Sequence, residues 1–132
     1  MQYTLLFYFS PENFALRDDP EGYETFWGAF KSYVVALNEA GVVVAGAGLE
    51  APSAATSLRQ HDGRRLVQDG PFAETKEQLA GFFIIDVPDL DTAMEWAARY
   101  PALPGGGVEV RPNLPLQRRD QILAEAGLKP TW

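Results

Sequence analysis

Asp69 is the residue whose setting most invites chemistry. It ends a strand-like run and leads into Gly70-Pro71-Phe72-Ala73-Glu74-Thr75-Lys76-Glu77. Gly70 takes positive φ cheaply and Pro71 fixes the next φ, so the chain must turn here. A carboxylate at such a corner takes a proton from a substrate if it faces a cleft. If it does not, the backbone amides of Gly70 to Ala73 are ready donors to it. Both roles stay open. Phe72 is the only large apolar group of the loop and is expected to anchor the turn to a core. Thr75 and Gln78 have the T-x-x-Q spacing of a capping box, which predicts a helical turn. Lys76 and Glu77 can pair with each other or with the loop, although exposed pairs contribute little. Arg59 and Arg111, on strands, could recognise a carboxylate through paired hydrogen bonds. Alternatively their stems cover apolar surface along a sheet.

His61 is the one histidine and so the first candidate for a general base. It stands beside Asp62-Gly63, at a hairpin tip, where water and motion work against a preorganised proton transfer. The chain has no cysteine, which excludes disulfides and thiol catalysis. With a single histidine, no zinc site is expected, and no acids stand out at metal spacing. No cofactor is expected either. Gly105-Gly106-Gly107 lacks the Lys-Ser/Thr partner of a phosphate loop, and no serine lies in a nucleophile elbow. The formal net charge of −7 argues against nucleic acid and against anionic membrane surfaces. No apolar run approaches the roughly 20 residues of a membrane span. Met1 leads directly into a strand-like run with no basic region, so no secretion signal is expected and the default address is the cytoplasm.

The elements that must position these groups follow from pattern. At 132 residues the chain is expected to be one domain. Residues 2–9 are nearly all apolar, aromatic or β-branched and predict a buried, central strand. Residues 10–20 read as an irregular, charged link. From Glu21 to Ala40 the apolar positions are Tyr23, Phe26, Trp27, Phe30, Tyr33, Val34 and Leu37, one broad and unusually aromatic helical face. That face packs on a sheet, and part of it can line a cavity. Val42 to Ala45 is a strand, and the small residues Gly46, Ala47 and Gly48 invite another backbone or a ligand to approach closely. Residues 54–60 and 64–68 form a hairpin across the Asp62-Gly63 turn. Leu79 to Val87 is another buried strand. Asp89 caps a helix from Leu90 to Tyr100, with Leu90, Ala93, Ala97 and Tyr100 inward and Met94 and Trp96 at the edges. Leu103 to Gly107 is a loop, Val108 to Arg111 a strand with one wet face, and Gln117 to Ala126 a short helix.

Setting the hairpin aside, the order is β-α-β-β-α-β. This is an α+β, ferredoxin-like unit with both helices on one face of a mainly antiparallel sheet. Leu5, Phe7, Ile84 and their neighbours leave few polar positions, so the other face needs a cover.

Asp69-Gly70-Pro71-Phe72, then Glu74-Thr75-Lys76-Glu77, then Gly81-Phe82-Phe83-Ile84-Ile85-Asp86, resembles the DGPF-type branch of the YciI-like (YCII-related) proteins. The likeness continues through Asp89-Leu90-Asp91, Glu95-Trp96-Ala97 and Val108-Glu109-Val110-Arg111-Pro112, and covers residues 1–112. Residues 113–132 are then a C-terminal extension. The resemblance implies a homodimer of the dimeric α/β-barrel type, with a site near the subunit boundary. In the wider family a His and an Asp near the first helix are read as an acid–base pair. Those positions fall here on Phe30 and Glu39, and Phe30 cannot move a proton. The expectation is therefore a small metabolite, acidic or aromatic, bound by Trp27, Phe30, Phe72, Lys76 and Arg59. If there is turnover, it is proton transfer of isomerase or lyase type by Asp69. Because the branch is often encoded near extracytoplasmic-function sigma factors, an accessory module without turnover is the alternative. A third reading makes the dimer itself the output.

Overall fold

A computed structural model describes residues 1–21, 23–101 and 105–132, apart from the side chains of Tyr23 and Thr25. The expected loop at Leu103 and Pro104, and the Tyr23 member of the aromatic face, lie outside the described residues. The elements are β1 Gln2–Phe9, α1 Pro11–Asp18, α2 Tyr23–Ala40, β2 Val43–Gly48, β3 Thr56–His61, β4 Arg64–Asp69, β5 Gln78–Asp86, α3 Leu90–Arg99, β6 Gly107–Pro112 and α4 Leu116–Glu125.

β1 alternates as its composition requires. Tyr3, Leu5, Phe7 and Phe9 are buried, while Gln2, Thr4, Leu6 and Tyr8 are half-buried. Its position is central: the main sheet runs β2-β5-β1-β6, with every neighbouring pair antiparallel. This mixed α+β arrangement is compatible with a ferredoxin-like fold. The first three helices pack on the face that carries Phe7 and Phe9. Phe14 of α1 and Phe26 of α2 meet the Phe9 ring at 5.5 and 5.6 Å. Tyr100, just past α3, stacks on Phe7 at 3.9 Å. The Tyr33 hydroxyl donates to the Trp96 carbonyl at 2.8 Å, tying α2 to α3. Asp89 caps α3 by accepting from the Thr92 amide at 2.8 Å.

Four sequence expectations are corrected. Residues 11–18 form a helix instead of an irregular link. Ser10 caps it by accepting from the Asn13 amide, and Pro11 sits where its missing N–H costs nothing. The T-x-x-Q pattern makes no helical turn. Gln78 already belongs to β5, so no helix follows the would-be cap. Its amide instead ties the loop, donating to the Ala73 carbonyl and the Thr75 hydroxyl, both at 2.9 Å. Phe72 is 57% exposed and anchors no core. Its loop leaves an outlying hairpin, and the surface within reach is the Arg59 guanidinium, 4.5 Å from its ring. Leu90 is exposed at the first position of α3, ahead of the turn that meets the sheet.

The hairpin pairs Thr56 with Asp69 through to His61 with Arg64. Asp62 and Gly63 both take positive φ, 49° and 74°, as a type I′ turn demands.

Burial pushes the Tyr33 and Tyr100 phenols well above their ordinary value of 10.0, with Arg99 and Arg17 respectively opposing the shift. Above pH 10 the unfolded chain releases these protons and the native one retains them. The stabilisation is therefore complete below pH 10 and drains away as pH rises toward the native values. An alkaline titration followed by phenolate absorbance should show these two tyrosines ionising only as tertiary structure is lost. Tyr33→Phe should remove part of the alkaline fall in stability. Free ionisation of both in the intact fold would contradict the burial argument.

Candidate functional site

Strand β2 ends in residues without bulk. Gly46 and Gly48 fall opposite Phe83 and Gly81 of β5, on the helix-covered face of the sheet. A Cβ on Gly46 would lie 2.3 Å from the Phe83 ring, and one on Gly81 would lie 2.8 Å from the Ala47 carbonyl. The two backbones approach this closely only because neither carries a side chain there. A Cβ on Gly48 would meet no atom of a described residue within 4 Å. The result is an apolar cavity of about 290 Å³ between α2 and the β2–β5 end of the sheet.

The spacing of α2 supplies one wall. Phe26, Trp27 and Phe30 form a mutually packed triad, with centroid distances of 5.1 to 5.8 Å. Phe30 reaches across to Phe83 at 6.3 Å and Tyr100 at 6.4 Å. Phe7 and Phe9 form the floor. Among the described residues the one cation lining the cavity is Arg17 of α1, only 8% exposed. Its Nη1 donates to the Leu49 carbonyl at 2.7 Å and its Nε to Asp18 at 3.0 Å. The guanidinium also sits 5.1 Å from the Phe14 ring centroid. Tyr100 also lines the cavity, and burial pushes its phenol well above its ordinary value.

Of the residues singled out from sequence, Trp27 and Phe30 line this cavity. Arg59 and Phe72 come together elsewhere, where Arg59 Nη2 also donates to the Phe72 carbonyl at 3.5 Å. Lys76 is exposed beside Tyr8 and the start of β6. Asp69 ends β4, exposed and away from the cavity, and among the described residues its carboxylate makes no hydrogen bond or ion pair. The Gly70 amide that could have served it donates to the Ala55 carbonyl at 2.7 Å instead. His61 is exposed at the hairpin tip, 3.3 Å from Asp62. Arg111 pairs with Glu109 at 2.7 Å. Among the described residues no group of three or more His, Cys, Asp or Glu could hold a metal ion. No described helix is long and apolar enough to cross a membrane.

Arg17 and Tyr100, with apolar neighbours such as Phe7, Phe9 and Phe83, are cavity residues that sequence reasoning missed as site groups. Arg17 fell in the stretch read as a link. The Ser10-Pro11-Glu12 start was the available signal, since it would have put Phe14 and Arg17 on one helical face.

Comparison with known proteins gives a family and a relative. The YCII-related domain matches residues 1–117. An uncharacterised protein of Rhizobium meliloti (strain 1021) is 49% identical over 76 residues, or 56% of this chain. The chain spans 61% of the length of that curated relative. With the domain matched from the first strand into α4, this chain belongs to the YCII-related domain family.

Proposed function

We propose that the protein binds a small metabolite, acidic or aromatic, in the cavity beneath α2 and does not turn it over. The observation that carries this reading is the lining itself: among the described residues it holds aromatic rings, one buried guanidinium and one phenol, with no carboxylate and no imidazole. Ligand sites are typically apolar hollows of about 300 Å³ or more with a few polar groups that fix orientation. Proton abstraction needs a base within hydrogen-bond reach of the substrate. Asp69, the candidate for proton transfer, lies outside this lining. Binding without chemistry suits an accessory role in which occupancy is the output, and a cytoplasmic address belongs to the same reading.

A homodimer is part of the proposal. Leu6, Tyr8, Phe82 and Ile84 are half-buried on the sheet face opposite the first three helices, and a second copy is the cover we assign to them. Ala47 pairs with Phe82 and so shares that open face, yet it also lines the cavity. The ligand would therefore lie close to the boundary between copies.

The test is a thermal-shift screen of small aromatic and acidic metabolites, followed by tryptophan fluorescence and product analysis. Ligands that raise Tm, perturb Trp27 and are recovered unchanged are the expected result. Phe30→Ala should weaken such a ligand about tenfold by removing a stacking wall. A screen without a single stabilising compound, or one in which the ligand is converted, would sink the reading.

A further inference from the structure

We infer that the ligand is an aromatic monocarboxylate whose carboxylate is held by Arg17, an inference that rests on the binding reading above. Arg17 is more than nine-tenths buried and lines the cavity. A guanidinium carries five N–H donors. One is spent on Asp18 and one on the Leu49 carbonyl. Nη2 makes no hydrogen bond to any described residue. The Asp18 side chain is 52% exposed, so water screens its pairing with this buried cation and the arginine charge is only partly answered. A buried charge in this state stabilises an anion brought to it, because the anion supplies both the missing acceptors and the missing charge.

Geometry narrows the class. A carboxylate accepts from two parallel guanidinium N–H groups at once, a planar fit that alcohols and amides do not match. Tyr100 lines the same cavity, and its hydroxyl makes no hydrogen bond to a described residue and feels the Arg17 charge. It can donate to the second carboxylate oxygen or to a ring substituent. The remaining wall is aromatic on several sides, from Phe26, Trp27 and Phe30 to Phe83, and such rings prefer a ring partner at 4.5–7 Å. One cation and one neutral phenol match one negative charge. A second carboxylate would be buried against rings with no counterion.

The experiment compares matched acids and amides on the full chain by calorimetry. Indole-3-carboxylate is set against indole-3-carboxamide, benzoate against benzamide, and cyclohexanecarboxylate serves as the non-aromatic acid. Each aromatic acid should bind about ten- to a hundredfold tighter than its amide, the range of a hydrogen bond to a charged group. In Arg17→Gln that gap should close to about threefold or less while amide affinity holds, and Arg17→Lys should retain part of it. Should Arg17→Gln fail to fold, the acid–amide comparison on the unaltered protein decides alone. Equal affinity for acid and amide overturns the carboxylate assignment and leaves the binding reading standing. Cyclohexanecarboxylate binding as tightly as benzoate overturns the aromatic part. If none of the acids and amides binds while the wider screen finds other ligands, this inference fails alone. If that screen is also empty, both fail together.

Discussion

Phe7→Ala is expected to cost the fold about 3–5 kcal/mol, the range for deleting a buried phenylalanine. Phe7 is 3% exposed in the middle of the central strand. Its ring stacks on Tyr100 at 3.9 Å and meets Phe83 edge-on at 5.8 Å. Both contacts vanish with the side chain. The void would not stand alone, because Phe7 already forms part of the cavity floor. Collapse is therefore restricted: Phe83 is held by Phe30 and Tyr33, and Tyr100 by Tyr33. Denaturant unfolding should show a lower midpoint with an unchanged slope. A loss under about 1 kcal/mol would mean that neighbouring rings close the gap, at odds with this rigidity.

Gly46→Ala is expected to cost about 1–3 kcal/mol, the usual range for forcing an extra group into a packed core. The added carbon would lie 2.3 and 2.7 Å from two atoms of the Phe83 ring and 3.0 Å from the Phe82 carbonyl. The carbonyl is backbone and cannot yield, so the ring must. Its free direction is the cavity, so the same substitution should weaken any cavity ligand about tenfold or more by filling its space. Gly48→Ala is the control. It lies two residues further along the strand, also in the lining, and its Cβ would meet no atom of a described residue within 4 Å. Stability should then stay within about 0.5 kcal/mol of the parent. Equal losses from both substitutions would show that chain flexibility, and not the Phe83 contact, is what Gly46 provides.

Much of this frame was legible in the residues themselves. β1 and β5 announce themselves as unbroken apolar runs, α2 by a seven-position stripe, the hairpin by Asp62-Gly63 and α3 by the Asp89 cap. α1 was not legible by periodicity, because eight residues hold too few apolar positions to set a period and carry several charges. Only its Ser-Pro start signalled it. The 70–77 loop misled in the opposite direction. Capping chemistry and an aromatic side chain are local signals, and whether a helix or a core awaits them is decided by distant packing. The cavity lay half in view. Small residues at 46–48 called for a close neighbour, and they meet both a strand and a hollow. Arg17 closes that hollow from a segment whose burial no local pattern conveyed.

The outermost strands of the main sheet have a consequence for assembly. β2 is six residues long and breaks register between Val43 and Ala45, while β6, also six residues, ends at Pro112, which has no amide proton to offer. Short, kinked or proline-tipped rims are poor templates for a strand arriving from another molecule. Sideways growth of the sheet is thereby discouraged at both margins, and the dimer proposed above would have to form by broadside stacking instead.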